Sequence, residues 1–360
     1  MAASNRLSAE LSAALQDGLV IPAHPLALDE NRQLDVASQR ALSRYYIASG
    51  AGGIAVGVHS TQFEIRDPQH DLYETVLSMA AEEVKKAKRE GKLDRPFIQV
   101  AGICGPTVQA LSESRIALSL GYDAALLSMG GLADWSEDDL IARTERVAEL
   151  MPVIGFYLQP SVGGRIFSYD FWSRFSEIPN VVAIKMAPFN RYQTLDVARA
   201  VCYSSRRDEI ALYTGNDDNI IVDLLTKFRF EIDGTVVEKA VVGGLLGHWA
   251  VWTNKAVALL EEIKEVRNDD SISANWLTRA IQVTDTNAAF FDPAHHFEGC
   301  IPGIHEVLRR QGLLKGIWCL NPEETLSPGQ SGEIDRVYSQ YPHLHDDEFV
   351  ASGLQDWLKD

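Results

Sequence analysis

A lysine and a tyrosine carry the chemistry that can be read in this sequence. Lys185 lies in the run Val181-Val182-Ala183-Ile184-Lys185-Met186-Ala187, where its ammonium is not expected to be solvated. Taking an ammonium out of water is costly, and the usual response is a lowered pKa that leaves a neutral amine able to attack a carbonyl. The same lysine could instead snorkel from a strand end or pair with a buried carboxylate. Tyr157 stands near the end of the preceding apolar segment PVIGFYLQP, 28 positions earlier. That interval is about one β-α-β unit, so both side chains are expected at the C-terminal edge of neighbouring parallel strands. There Tyr157 could pass protons during imine chemistry at Lys185. A core tyrosine with a locally satisfied hydroxyl is the plainer alternative.

The elements that would position this pair repeat along the chain. Short runs rich in Val, Ile and Ala occur at GLVIPAHP, GGIAVG, PFIQVAG, AALLSMG, PVIGFYLQ, VVAIKMA, EIALYTG and KAVVGGLLG. Runs of this kind are buried on both faces, as parallel strands under helices are. Amphipathic segments separate them, one opened by a Ser-Glu-Asp-Asp cap at Ser136. Eight units of about thirty residues predict a (β/α)8 TIM barrel with α/β character. No GxGxxG follows the first strand, which argues against an open doubly wound sheet. Asp233-Gly234 marks a hairpin insertion over 230–237. From about Trp249 the strands stop, so the expected division is a barrel over residues 1–248 and a C-terminal helical extension over 249–360.

Composition narrows the function. The chain has 360 residues, 46% hydrophobic, with a formal charge of −17, so a nucleic-acid or anionic-membrane partner is not expected. Cys104, Cys202, Cys300 and Cys319 show no CxxC spacing, and reduced thiols are the default. The N-terminal stretch has no long apolar core, and no run approaches the ~20 apolar residues of a membrane helix. A cytoplasmic protein is expected.

Four stretches together resemble the dihydrodipicolinate synthase and N-acetylneuraminate lyase family of class I aldolases. PVIGFYLQPSVGG is similar to its strand-five tyrosine motif, and EIPNVVAIKMA to the strand-six segment with its Schiff-base lysine. LYTGNDD resembles its GxDD turn after strand seven, and GIHEVLRRQGL its helical extension. The resemblance implies a metal-independent, cofactor-free lyase acting on a small carbonyl substrate, in a homotetramer or dimer. It implies Lys185 as nucleophile and Tyr157 as proton shuttle. The family's GTTGE turn, which holds the carboxylate of pyruvate, is replaced by Gly57-Val58-His59-Ser60-Thr61. A hydroxyl becomes Val58, the next becomes His59, and Ser60 follows, so the substrate site is expected to be rebuilt and a standard dihydrodipicolinate synthase is not expected. Val162 stands in place of the synthases' dicarboxylate-binding arginine, with Arg165 three residues on.

His24 and His59 end the first two strands, where either could bond a substrate oxygen or act as acid or base. Gly215 and Gly244, in the turn after strand seven and on strand eight, could let backbone approach a ligand. Asp292, His295, His296 and Glu298 are dense in metal-type ligands, but their spacing matches no zinc signature. Two other readings stay open on the residues. One is a divalent-metal barrel enzyme using His24, His59 and Glu64 or Asp67; the other is a non-catalytic descendant that binds a metabolite.

Overall fold

The computed structural model describes residues 5–359; the start of the polar lead, 1–4, lies outside them. The strands are β1 (Val20–Pro22), β2 (Gly53–Val56), β3 (Ile98–Ile103), β4 (Ala124–Leu127), β5 (Val153–Leu158), β6 (Val181–Ala187), β7 (Ala211–Thr214), β8 (Lys227–Ile232) and β9 (Thr235–Leu246). All but β8 belong to the (β/α)8 barrel, with helices between them and further helices after Trp252. The chain forms two compact units, 5–19 with 98–245 and 20–97 with 246–359.

In the first unit β3, β4, β5, β6, β7 and β9 lie side by side, each parallel to the next. Their buried, alternating side chains give each strand an inner face and a face covered by helices. Caps explain where several helices begin. Ser136 Oγ accepts from Asp139 N while Asp139 reaches back to Ser136 N, the capping box expected for Glu137–Ala148. Ser168 and Asn190 cap Tyr169–Glu177 and Arg191–Tyr203 without the reciprocal bond, accepting from Phe171 N and from Tyr192 N and Gln193 N.

Two boundaries differ from the sequence expectation. The sequence predicts a helix over Asp217–Phe228 after β7, but the helix spans only Ile220–Leu225, because Thr226 is already extended and the next six residues join a ladder. The expected insertion is therefore a longer hairpin, β8 with the first half of β9, turning at Asp233-Gly234 as the sequence suggested. Helix Cys300–Arg310 also starts earlier than the Ile304–Gly312 that the sequence predicts, since Pro302 occupies the first turn, where a missing N–H costs no hydrogen bond.

In the second unit β1 and β2 pair in parallel through Ala23 and Ala55, and Ala23 N donates to Leu246 O at the end of β9. The C-terminal helix Asp347–Trp357 is tied in at its start. Asp346 accepts from Tyr45 Oη at 2.7 Å, Gln311 Nε2 at 2.8 Å and Asn254 N at 3.1 Å, and Tyr45 Oη accepts from Thr253 N. Three imidazoles, His24, His248 and His305, are buried in this unit, and burial pushes each down to about 4.

These imidazoles make stability depend on pH. An unfolded histidine takes up a proton near 6.5, whereas the folded groups resist until about 4, so stability is full above 6.5 and is lost as pH falls through that window. Asp346, whose carboxyl burial pushes up, opposes the trend at its lower end. Unfolding by urea at pH 7 and pH 5 should show a loss on the order of 1–2 kcal/mol per imidazole at the lower pH. Equal or greater stability at pH 5 would contradict neutral buried imidazoles.

Candidate active site

Lys185 is 8% exposed, in the last half of β6. Its pairing partners are Phe156 on β5 and Tyr213 on β7, and residues paired across parallel strands point to one face. Nζ lies 4.3 Å from the centre of the Phe156 ring. Burial pulls the amine down to about 8, while the charge of Asp217 works in the opposite direction. The ring face of Phe156 also favours the cation, so the amine is held between two tendencies.

Gly215 makes room for this side chain. A Cβ there would stand 2.5 Å from Lys185 Cε and 2.9 Å from Ala187 Cβ, which no side chain could tolerate without movement. Gly215 N donates to Met186 O at 2.7 Å, continuing the ladder one step beyond β7. The following turn is fixed from below. Asp223 accepts from Thr214 Oγ1 at 2.7 Å, Asn216 Nδ2 at 2.9 Å and Asn219 Nδ2 at 3.0 Å, and pairs with Arg191. Asn216 Oδ1 accepts from Phe189 N, which joins the strand-seven turn to the strand-six turn. Asp217 lies in this turn between Asn216 and Asn219, two residues beyond Gly215. Gly215 and Lys185, expected at one site, are brought together.

Tyr157 is not beside the amine. A register shift between Val153 and Ile154 moves the pairing of β5 with β6 by one residue, so that Phe156, and not Tyr157, stands opposite Lys185. Tyr157 stands opposite Met186, on the face covered by helix Tyr169–Glu177. Its ring lies 5.1 Å from Trp172 and 5.5 Å from Phe167, its hydroxyl accepts from Phe167 N at 3.3 Å, and burial pushes the phenol up. The expected role of a proton shuttle next to Lys185 is corrected accordingly.

Gly244 is also corrected. It pairs with Thr214, off the lysine's face, and its N–H donates to Leu19 O at 3.1 Å. Gly243 is the inward one, and it serves a close approach of backbone: a Cβ there would meet Leu19 N and O at 2.6 Å. Tyr213, on the lysine's face, turns its hydroxyl to the N-terminal segment, donating to Leu15 O and accepting from Leu19 N.

In the second unit, His24 is fully buried, with Nδ1 2.8 Å from Pro25 O and Nε2 2.9 Å from Ser43 Oγ. Both ring nitrogens serve the fold, which removes His24 as a substrate or metal ligand. Ser60 Oγ donates to Ala23 O at 2.8 Å and is likewise engaged. Thr61 Oγ1 donates to His24 O and accepts from Gly57 N and Val58 N, so the hydroxyl closes the turn on itself. Val58 is buried, and His59 is half-buried with its ring 5.9 Å from Phe63. In the expected ligand-rich loop, His295 Nδ1 meets Asp292 Oδ1 at 2.6 Å and Gly299 N donates to Asp292 Oδ2, an arrangement that closes the loop. Among the described residues no group of three or more His, Cys, Asp or Glu side chains is placed to hold a metal ion.

Sequence reasoning missed Phe156 and Asp217 as neighbours of the amine. Asp217 lay in a stretch already singled out, whereas Phe156 could be found only by knowing the register.

No family model matches the chain. N-acetylneuraminate lyase 2 of Escherichia coli O6:H1 is 24% identical over 320 residues, 88% of this chain and 90% of the relative. A 4-hydroxy-tetrahydrodipicolinate synthase of Bifidobacterium longum is 27% identical over 204 residues, 56% of this chain and 60% of that enzyme. Among solved structures, YagE of Escherichia coli K12, a prophage protein of the dihydrodipicolinic acid synthase family in complex with pyruvate, matches with a TM-score of 0.70 at 17% identity. That match covers 92% of this chain and 99% of YagE.

The amine's titration is directly testable. Labelling of Lys185 by an amine reagent should rise with a midpoint near pH 8. Asp217→Asn removes the anion that favours the ammonium, so the midpoint should move lower. Labelling of Lys185 only at the pH of ordinary surface lysines would refute this account.

Proposed function

We propose that the chain is a divergent member of the dihydrodipicolinate synthase and N-acetylneuraminate lyase family and a Schiff-base-forming lyase for a keto acid or related carbonyl compound, a reading that its similarity to those enzymes supports. One observation carries the reading: a buried lysine whose amine is drawn down to about 8, with a glycine clearing the space beside its Cε. At neutral pH a useful fraction of that amine is neutral and nucleophilic.

The neutral Nζ of Lys185 attacks the carbonyl carbon, and the oxygen takes a proton to give a carbinolamine. Loss of water leaves an iminium. Its positive nitrogen accepts the electron pair of a breaking C–C bond, or of a C–H bond that loses its proton, in which case the enamine so formed expels a β-oxygen with the C–O pair; protonation and hydrolysis then return the amine. Proton transfer in these steps needs an acid–base group within reach of the amine. We assign it to Asp217, two residues beyond Gly215, whose charge acts on the amine. Tyr157 then supports β5 against Phe167 and Trp172. The chemistry belongs to residues 1–248, with 249–360 as a helical extension. No cofactor is required.

Substrate choice is assigned to the turn Val58-His59, where the family carries hydroxyls for pyruvate's carboxylate. A buried carboxylate left without a donor costs about 1–3 kcal/mol, roughly tenfold to a hundredfold in affinity. The preferred substrate is therefore bulkier or less acidic than pyruvate. Helices across the described chain are none long and apolar enough to cross a membrane. We place the protein in the cytoplasm as a homotetramer or dimer.

Borohydride reduction with a panel of carbonyl compounds, followed by peptide mapping, should give an adduct on Lys185, stronger with larger compounds than with pyruvate. No adduct with any compound would sink the proposal. Once a substrate is identified, Asp217→Asn should lower kcat by about 100-fold or more. Tyr157→Phe should retain most of the turnover. The reverse ranking would return the proton-transfer role to the tyrosine.

A further inference from the structure

The hairpin of β8 and β9 leaves one edge open. Asp233 and Gly234 have φ of 50° and 74° and form a two-residue turn between the paired residues Ile232 and Thr235. The pair flanking such a turn exchanges both backbone hydrogen bonds, so alternation aims the N–H and C=O of Ile232, Phe230 and Phe228 at β9. The corresponding groups of Glu231, Arg229 and Lys227 point away from it. β8 pairs with β9 alone, and none of the described backbone hydrogen bonds outside the hairpin ladder uses residues 227–232.

The side chains of this edge strand are sorted by face. Phe228, Phe230 and Ile232 are half-buried on one face, with the Phe230 ring 6.1 Å from that of Tyr203. Arg229 and Glu231 are exposed on the other. Arg229 pairs across the hairpin with Glu238, whereas Glu231 stands opposite Val236, itself 67% exposed, and has no ion pair among the described residues. A strand with a free edge and an apolar face is a template for another strand unless something blocks it. Neither proline nor a bulge interrupts 227–232.

We infer that a second copy of this chain pairs with β8, antiparallel, about a two-fold axis through Phe230. In that register each Arg229 lies opposite the other copy's Glu231, and each Phe228 opposite Ile232. Those two Arg–Glu pairs are also the positions whose backbone groups point outward, which supplies four inter-chain hydrogen bonds. Phe230 meets its own counterpart in the closer, non-hydrogen-bonded pair between them. Neighbouring registers are worse. A slip of two residues between the chains places Arg229 or Glu231 directly opposite itself, and like charges so placed are destabilising. A slip of one sends the apolar face of one strand to solvent. The interface is isologous, and it closes. It depends on neither Lys185 nor the proposed reaction.

Light scattering at micromolar concentration should give the parent a mass that is an even multiple of the chain. Glu231→Arg opposes like charges twice, and Glu231→Pro removes only an outward N–H, so each should halve the particle mass while the circular dichroism of the parent is kept. Phe230→Cys should form a disulfide-linked dimer on non-reducing gels, since the close pair suits disulfide geometry; the parent should not. A monomeric parent, a mass unchanged by both Glu231 substitutions, or the absence of the cross-link in Phe230→Cys overturns the inference.

Discussion

A buried amine has to be kept from being either fully charged or walled in, and the inner face of β6 is arranged around that requirement. Burial favours the neutral form of Lys185, and the Asp217 charge and the Phe156 ring favour the cation. Burial wins, which is what leaves the amine near 8 instead of 10.5, and the charge of Asp217 keeps it from falling further. The balance needs space as well as charge. Without a Cβ at Gly215 the lysine stem can pass the strand-seven turn, and the hydrogen bonds of Asp223 and Asn216 keep that turn from collapsing onto it. A loop with fewer internal bonds would let Asp217 swing to solvent, where its field at the amine would be screened.

The lysine was legible because its signal is local. Seven residues of almost unbroken apolar sequence around one cation leave few physical outcomes. The barrel was legible for a similar reason: eight buried runs at a regular interval are a property of the whole chain and survive errors of a few residues at each boundary. Tyr157 was misplaced because its position depends on a quantity that no local pattern reports. With an interval of 28 residues and an unshifted register, Tyr157 would pair with Lys185, just as Val153 pairs with Val181. The shift at Ile154 adds one residue, and since side chains alternate with period two, one residue exchanges the faces. Phe156 comes to the amine and Tyr157 goes to Trp172.

The histidines show the opposite limit. His24 ends a strand, as an acid–base residue of a barrel often does, and nothing in its neighbours distinguishes a ligand from a core residue. Its partners, Ser43 and Gln39, are on the following helix. Only the packing of that helix on β1 decides that both ring nitrogens are used internally. The same holds for Ser60 and Thr61, whose hydroxyls look available in sequence but turn back to the carbonyls of Ala23 and His24. Polar side chains in a tight turn compete for nearby backbone before any ligand arrives.

The first unit divides its labour between side chains that share one level of the strands. Beside the register of Lys185 the chain invests in closure: Gly18 and Gly243 allow backbone to approach backbone, and Tyr213, the partner of Lys185 on β7, ties its hydroxyl to Leu15 and Leu19. Two residues further on, just past the end of β7, Gly215 leaves the space through which the lysine stem passes. A strand fixed in register by such contacts delivers its last residues to a set face. Residue type alone therefore says little about role here; Tyr213 and Tyr157 are both buried strand tyrosines, one tied to the N-terminal segment and the other turned away from the amine by a single inserted residue.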